Sequence, residues 1–142
     1  MDLEKLQEQV DKDLKINETE LDLESLKTPQ LHNTYMKHLT KYKLMLSRAE
    51  SDLHSIKREK WEYYTGKADA SVYAEKPFDL KVLRTDVDKY IESDEELIRA
   101  KQKREYLTAC VDYLDKTIRQ ISNRTFTIKN AIDWRRFTSG AV

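Results

Sequence analysis

Glycine and proline are scarce, with two of each in 142 residues. Sheets, hairpins and long loops draw on both for their turns, so this scarcity argues for long helices. A single cysteine, Cys110, excludes an intrachain disulfide framework and fits a reducing compartment. No apolar run approaches the ~20 residues that span a bilayer, and the opening MDLEKLQEQV has no secretory core, so a soluble, cytosolic chain is expected. With only Gly66 and Gly140 present, no Gly-rich phosphate cradle forms, and Gly66-Lys67 lacks the rest of a P-loop. His32, His38 and His54 show no i,i+4 pairing, and HExxH and CxxC patterns are missing. Acidic residues are many but scattered. No metal site, cofactor or catalytic constellation is expected, and the chain reads as non-enzymatic.

What is present is charge. Charged residues make up 37% of the chain and the apolar set 39%, too apolar for disorder yet polar enough for helices exposed along much of their length. A small core in so polar a chain gains burial by oligomerising. The net charge is zero but unevenly spread: residues 1–28 carry −5, 29–67 carry +4, 86–105 carry −2 and 116–136 carry +5. Two basic blocks separated by acidic ones present positive surface either to phosphate or to the acidic blocks of a neighbouring subunit.

The periodicities predict an all-α fold. Leu3, Leu6, Val10 and Leu14 place an amphipathic helix over Met1–Lys15. Asn17-x-x-Glu20 has the form of a capping box, opening a second short helix that Thr28-Pro29 ends. Residues 30–65 form one long helix whose stripe (Tyr35, Leu39, Tyr42, Leu46, Ala49, Leu53, Ile56, Lys60 and Tyr63) steps by four and three, the period of a bundle seam. Thr65-Gly66 supplies its stop. Residues 67–78 read as a loop and 79–91 as a short helix. Ser93-x-x-Glu96 then caps a helix running to about Phe137, with a possible bend at Asn123 and Thr125. A functional boundary is placed at residue 78, dividing an N-terminal helical region over 1–78 from a C-terminal helical region over 79–142 that is expected to oligomerise.

The C-terminal heptad is the strongest signal. Val111, Ile118, Thr125 and Ile132 take the a positions; Leu107, Leu114, Ile121 and Ile128 take d. Isoleucine and leucine mixed at d favour bundles larger than a dimer, so the seam is expected to gather copies of the chain rather than pack on the residue 35–63 helix. Cys110 falls off this a/d seam and is expected to be a half-buried structural thiol.

Two basic-aromatic segments accompany the seam. Lys57, Arg58, Lys60, Trp61, Tyr63, Tyr64 and Lys67 cluster at the end of the first long helix. Cations neutralise phosphates and aromatic faces stack on unpaired bases, so this composition suits single-stranded DNA; the alternative has Tyr63 continuing the seam and Trp61 and Tyr64 packed under a loop. Arg119, Arg124, Lys129 and Arg136 form a second basic face, for DNA or an acidic partner, or for pairing with a neighbouring helix. A DNA-independent coiled-coil scaffold is the rival to DNA binding.

The segments YYTGKAD (Tyr63 to Asp69) and RTFTIKNAIDWRRFTSG (Arg124 to Gly140), with the opening MDLEKLQEQVDKDL, resemble the UvsY family of phage recombination mediators in order, spacing and chain length. The resemblance implies a non-catalytic accessory of recombination, repair and recombination-dependent replication, acting in the cytoplasm of the infected bacterial host. It implies ring-like homo-oligomers of about six or seven subunits. It also implies partners: single-stranded DNA, a RecA-like phage recombinase and the phage single-strand-binding protein. The family's DNA-contacting basic residues lie just before the Tyr-Tyr pair, where this chain has Arg58 and Lys60, with Lys57 and Lys67 beside them and Glu59, Trp61 and Glu62 interleaved.

Overall fold

The computed structural model describes residues 2–140. Among these it contains five helices and no strand: α1 (Leu3–Asp13), α2 (Leu21–Tyr64), α3 (Ala70–Glu75), α4 (Val87–Glu92) and α5 (Glu95–Thr138). The all-α expectation holds. At 1.5 Å per residue, the 44-residue α2 and α5 are each about 66 Å long.

Two compact units form: residues 1–42 with 109–142, and residues 43–108. They cut across the functional boundary placed at residue 78, because α2 and α5 each contribute to both. In the first unit, Asp2 caps α1 by accepting from the Lys5 N–H at 2.8 Å, and α1 buries Leu6 and Val10. The Tyr35 hydroxyl of α2 donates to Asp13 at 2.8 Å. Burial, then the Asp13 carboxylate, push this phenol well above its usual range.

The start of α2 differs from the sequence expectation. Asn17 does not cap it; its Oδ1 accepts from the backbone and hydroxyl of Thr19 in a local turn. The helix begins after Glu20, whose carbonyl accepts from the Glu24 N–H at 3.0 Å, and runs unbroken through Pro29. Proline has no N–H for the carbonyl four residues earlier, so a break is the local preference. One turn before the proline, the Arg124 guanidinium of α5 donates to the Glu24 carbonyl, the Glu24 carboxylate and the Thr28 hydroxyl.

The other end of α2 is as expected. Gly66 has φ 78°, the Lys67 N–H returns to the Glu62 carbonyl at 2.8 Å, and the Gly66 N–H to Tyr63 at 3.3 Å. This pair of bonds is the Schellman ending that a left-handed glycine permits. The loop expected over 67–78 contains α3, because Asp69 accepts from Ala70 N–H and the Ser71 hydroxyl and so starts a turn of helix. Of the helix expected over 79–91, only the part from Val87 forms; Leu80, Val82 and Leu83 precede it in irregular chain. Ser93 does not cap α5. Its hydroxyl back-bonds to Lys89, and Asp94 accepts from the Glu96 and Leu97 N–H groups at 3.0 and 3.1 Å. The helix continues through Asn123 and Thr125.

The α5 seam also needs correction. Leu107, Leu114, Ile121 and Ile128, the d row, are buried within the chain. Their buried companions are Cys110, Thr117 and Arg124, not the a row. Val111, Ile118 and Ile132 are half-exposed and Thr125 is exposed. Helical residues three and four apart share a face, so d combines with the position before a as readily as with a itself. Cys110 is therefore fully buried rather than half-buried.

Candidate nucleic-acid interface

The second unit holds the basic-aromatic segment. Its core packs Leu53 of α2 against Val87 and Ile91 of α4 and Leu97 of α5, with Ile56, Tyr64, Val82 and Ala100 around them. This packing orients the last turns of α2: the stripe through Leu53 and Ile56 faces inward, and the opposite side faces water.

His54, Lys57, Arg58 and Trp61 are exposed, at i, i+3, i+4 and i+7 of one helical face. The left-handed Gly66 turns the chain back, so that the Lys67 ammonium lies 4.4 Å from the Trp61 ring centroid. An exposed cation–π contact of this kind contributes about 0.5–1 kcal/mol. Arg58 shares its Nε with Glu62 at 3.2 Å, a pair in water that holds the guanidinium only weakly. Lys57, Arg58, Trp61 and Lys67 thus converge on one wet surface of charge and aromatic face.

The remaining predicted residues do a different job. Tyr63 and Tyr64 do not offer free faces. Tyr63 stacks on Tyr73 at 5.4 Å and tilts against Phe78 at 5.4 Å; Tyr64 meets Phe78 at 5.1 Å and Tyr90 at 5.7 Å. The Tyr73 hydroxyl donates to the Tyr63 carbonyl at 2.7 Å, a second bond to an acceptor that the Gly66 N–H also reaches. Lys60 is 14% exposed at its side chain and sits between two carboxylates, Glu96 at 2.8 Å and Asp94 at 3.5 Å. Desolvation opposes its charge, but the Glu96 hydrogen bond and the Asp94 charge outweigh it, and the ammonium is held more tightly protonated than usual. Asp94 also accepts from the Tyr64 hydroxyl at 2.7 Å. Burial works against its ionised form, yet Tyr64, the Leu97 N–H and Lys60 hold it below the usual carboxylate range. Asp94, Glu96, Tyr73, Phe78 and Tyr90 were missed in the sequence. Asp94 had a readable signal, an acceptor three residues before the apolar Leu97.

The second basic face does not assemble as expected. Arg124 is buried on Glu24 and leaves it. Arg119 pairs with Asp115 at 3.4 Å, one turn away on α5. Lys129 and Arg136 are exposed. Near them Phe126, Trp134 and Phe137 are also exposed, with the Trp134 and Phe137 rings stacked at 5.8 Å. Among the described residues there is no cluster of side chains suited to a metal ion, and no helix is long and apolar enough to cross a membrane.

The chain is similar to known proteins in sequence and in fold. The family model described as "Recombination, repair and ssDNA binding protein UvsY" matches residues 9–141. The recombination protein uvsY of Enterobacteria phage T4 is 24% identical over 140 residues, covering 99% of each chain. Crystal structures of the bacteriophage T4 recombination mediator protein UvsY share the fold. One superposes with a TM-score of 0.85 at 23% identity over 98% of each chain. Another gives 0.83 at 21% identity over 94% of this chain and 98% of that one.

Proposed function

The chain belongs to the UvsY family of recombination, repair and single-stranded-DNA-binding proteins, and from that premise we propose that it is a phage recombination mediator that grips single-stranded DNA through the Lys57–Arg58–Trp61–Lys67 surface. The observation that carries the reading is the pairing of an exposed indole with a cation fixed over it and two more cations on the same face. Cations take successive phosphates of a strand, while Trp61 stacks on an unpaired base at ~1–3 kcal/mol. A duplex hides its base faces, so the arrangement favours single strands.

One such surface is weak, and self-association multiplies it. The half-exposed row Val111, Ile118 and Ile132, together with the exposed Phe126, Trp134 and Phe137, offers an apolar surface to a neighbouring copy. The d row, Leu107, Leu114, Ile121 and Ile128, holds the protomer itself together. Repetition of the strand site around a ring of about six or seven subunits raises avidity without new contacts. A ring holding the strand in this way serves to place a RecA-like phage recombinase on DNA covered by the phage single-strand-binding protein, in the cytoplasm of the infected host.

The stacking role is tested with a Trp134→Phe protein, in which Trp61 is the one remaining tryptophan. Oligothymidine should quench its fluorescence, and Trp61→Ala should weaken binding about 5- to 150-fold while Trp61→Phe retains most of it. Equal affinities for the three proteins would remove Trp61 from the site.

A further inference from the structure

Two exposed patches combine leucine with charge, one in each unit, and their charges are opposite. Neither includes a residue of the strand surface. In the second unit, the irregular chain before α4 is pinned inward by Phe78, which meets Tyr63 and Tyr64, and by Val82, which packs on the Leu53 core. The residues beside these anchors are turned outward: Leu80 is 63% and Leu83 70% exposed, with Lys81 and Arg84 exposed next to them. Neither cation has an ion-pair partner among the described residues. In the first unit, the start of α2 supplies the complement. Leu23 and Leu26, three residues apart on one helical face, are 47% and 76% exposed. Glu18, Glu20 and Asp22 are exposed around them. This is the acidic end of the chain, −5 over residues 1–28, and the next cation along α2, Lys27, is drawn onto Glu24 at 2.9 Å.

We propose that these patches dock on each other between copies of the chain: the acidic leucine face at the start of α2 in one copy seats on the Leu80–Arg84 strip of the next. Each half offers two leucines, and the flanking charges are opposite in sign. Leucine burial supplies the attraction. Exposed ion pairs are individually weak, but they decide which patch meets which. Either patch laid on its own equivalent sets like charges together, so a twofold contact is disfavoured. The contact is heterologous: every copy presents one half of each kind, and copies add head to tail. It is separate from the α5 surface proposed above, because Val111, Ile118 and Ile132 belong to neither half. It ties the unit that carries Trp61 to the first unit of a neighbour, and it uses none of Lys57, Arg58 and Lys67, so strand and neighbour are held at once.

The test is cross-linking of the full-length protein with a short bis-maleimide. Gln30→Cys lies one turn beyond Leu26 on its face, and Thr85→Cys directly follows Arg84. Both positions are exposed, whereas the native Cys110 is fully buried and out of the reagent's reach. The protein with both substitutions should give a ladder of dimers, trimers and longer chains on a denaturing gel, and each single substitution should leave monomers. Adding Lys81→Glu/Arg84→Glu should abolish the ladder. Adding Glu18→Lys/Asp22→Lys as well should restore it, because the two halves then exchange signs. Absence of the ladder, a product confined to one chain's mass, a ladder indifferent to the charge reversals, or dimers from a single substitution overturns the proposal. An oligomer that persists in sedimentation without a ladder rejects this contact and leaves the α5 surface standing. Shielding of the Thr85→Cys thiol by an added acidic, leucine-bearing peptide, with no ladder, assigns the strip to another protein and likewise overturns the self-contact. Far-ultraviolet circular dichroism on every variant confirms that the helices persist.

Discussion

Arg124 of α5 gives both ends of its guanidinium to Glu24 of α2: one Nη donates to the carboxylate, the other to the backbone carbonyl and to the Thr28 hydroxyl. Both side chains are buried, at 3% and 4% exposure. The pair fastens α5 to α2 within the first unit, just before Pro29. Removing Glu24 leaves the Arg124 charge uncompensated in a dry site, and removing Arg124 leaves the buried Glu24 carboxylate with Lys27 and without its guanidinium partner. Arg124→Met or Glu24→Gln should therefore each cost about 3–5 kcal/mol of stability in urea melts, and the double replacement less than the sum.

The same pair fixes an acid dependence. The Lys27 hydrogen bond, opposed by burial and reinforced by Arg124, holds Glu24 below its ordinary value of 4.5. Asp94 is likewise held below its ordinary 3.8, Tyr64 and Lys60 outweighing its burial. A carboxylate with a depressed folded-state pKa stabilises fully above its unfolded value, and that stability is lost as pH falls through the folded value. Urea midpoints should be level from neutrality to about pH 5 and fall progressively below pH 4.5. Glu24→Gln should lower the plateau and flatten the upper part of this fall.

On α5, burial separates two rows that the heptad treats alike. Ile121 is buried within the protomer and Ile118 is half-exposed. Ile121→Ser should cost about 2–5 kcal/mol and compromise the fold itself. Ile118→Ser with Ile132→Ser should leave helical circular dichroism in place and lower the mass found by sedimentation equilibrium. Retention of the parent mass in that pair would move the self-association surface off this row.

Long-range order was legible in the sequence where one physical rule acted alone. The stripe from Tyr35 to Tyr63 was readable because a 3.5-residue period buries one side whatever the partner, and Gly66 because only a left-handed residue closes the observed turn. Pro29 is the opposite situation: a local breaker lies inside α2, next to a stretch that Arg124 contacts from 100 residues away. Such a contact leaves no mark in the periodicity. The basic-aromatic segment was legible as a composition, but packing divides its residues: Lys57, Arg58, Trp61 and Lys67 face water, whereas Tyr63 and Tyr64 anchor an aromatic cluster with Tyr73, Phe78 and Tyr90. Composition names the residues that suit a strand without saying which of them packing has already used.

Gly66 links the fold to that surface. A Cβ there meets nothing within 4 Å, so the cost of Gly66→Ala is backbone conformation alone, about 1–2 kcal/mol at φ 78°. The variant should melt lower by that amount. It should also release Lys67 from the Trp61 ring, seen as a change in Trp61 emission in the Trp134→Phe protein.

In the proposed binding mode, exposed cations on the Trp61 face hold the strand phosphates. The salt dependence of oligothymidine binding by Lys57→Ala/Arg58→Ala, with oligomer mass checked in the same buffer, tests this. Loss of two phosphate contacts per subunit predicts weaker binding at every salt concentration, a log–log slope shallower by about 1.4 per subunit engaged, and an unchanged oligomer. Wild-type affinity and slope from an intact oligomer would contradict the account.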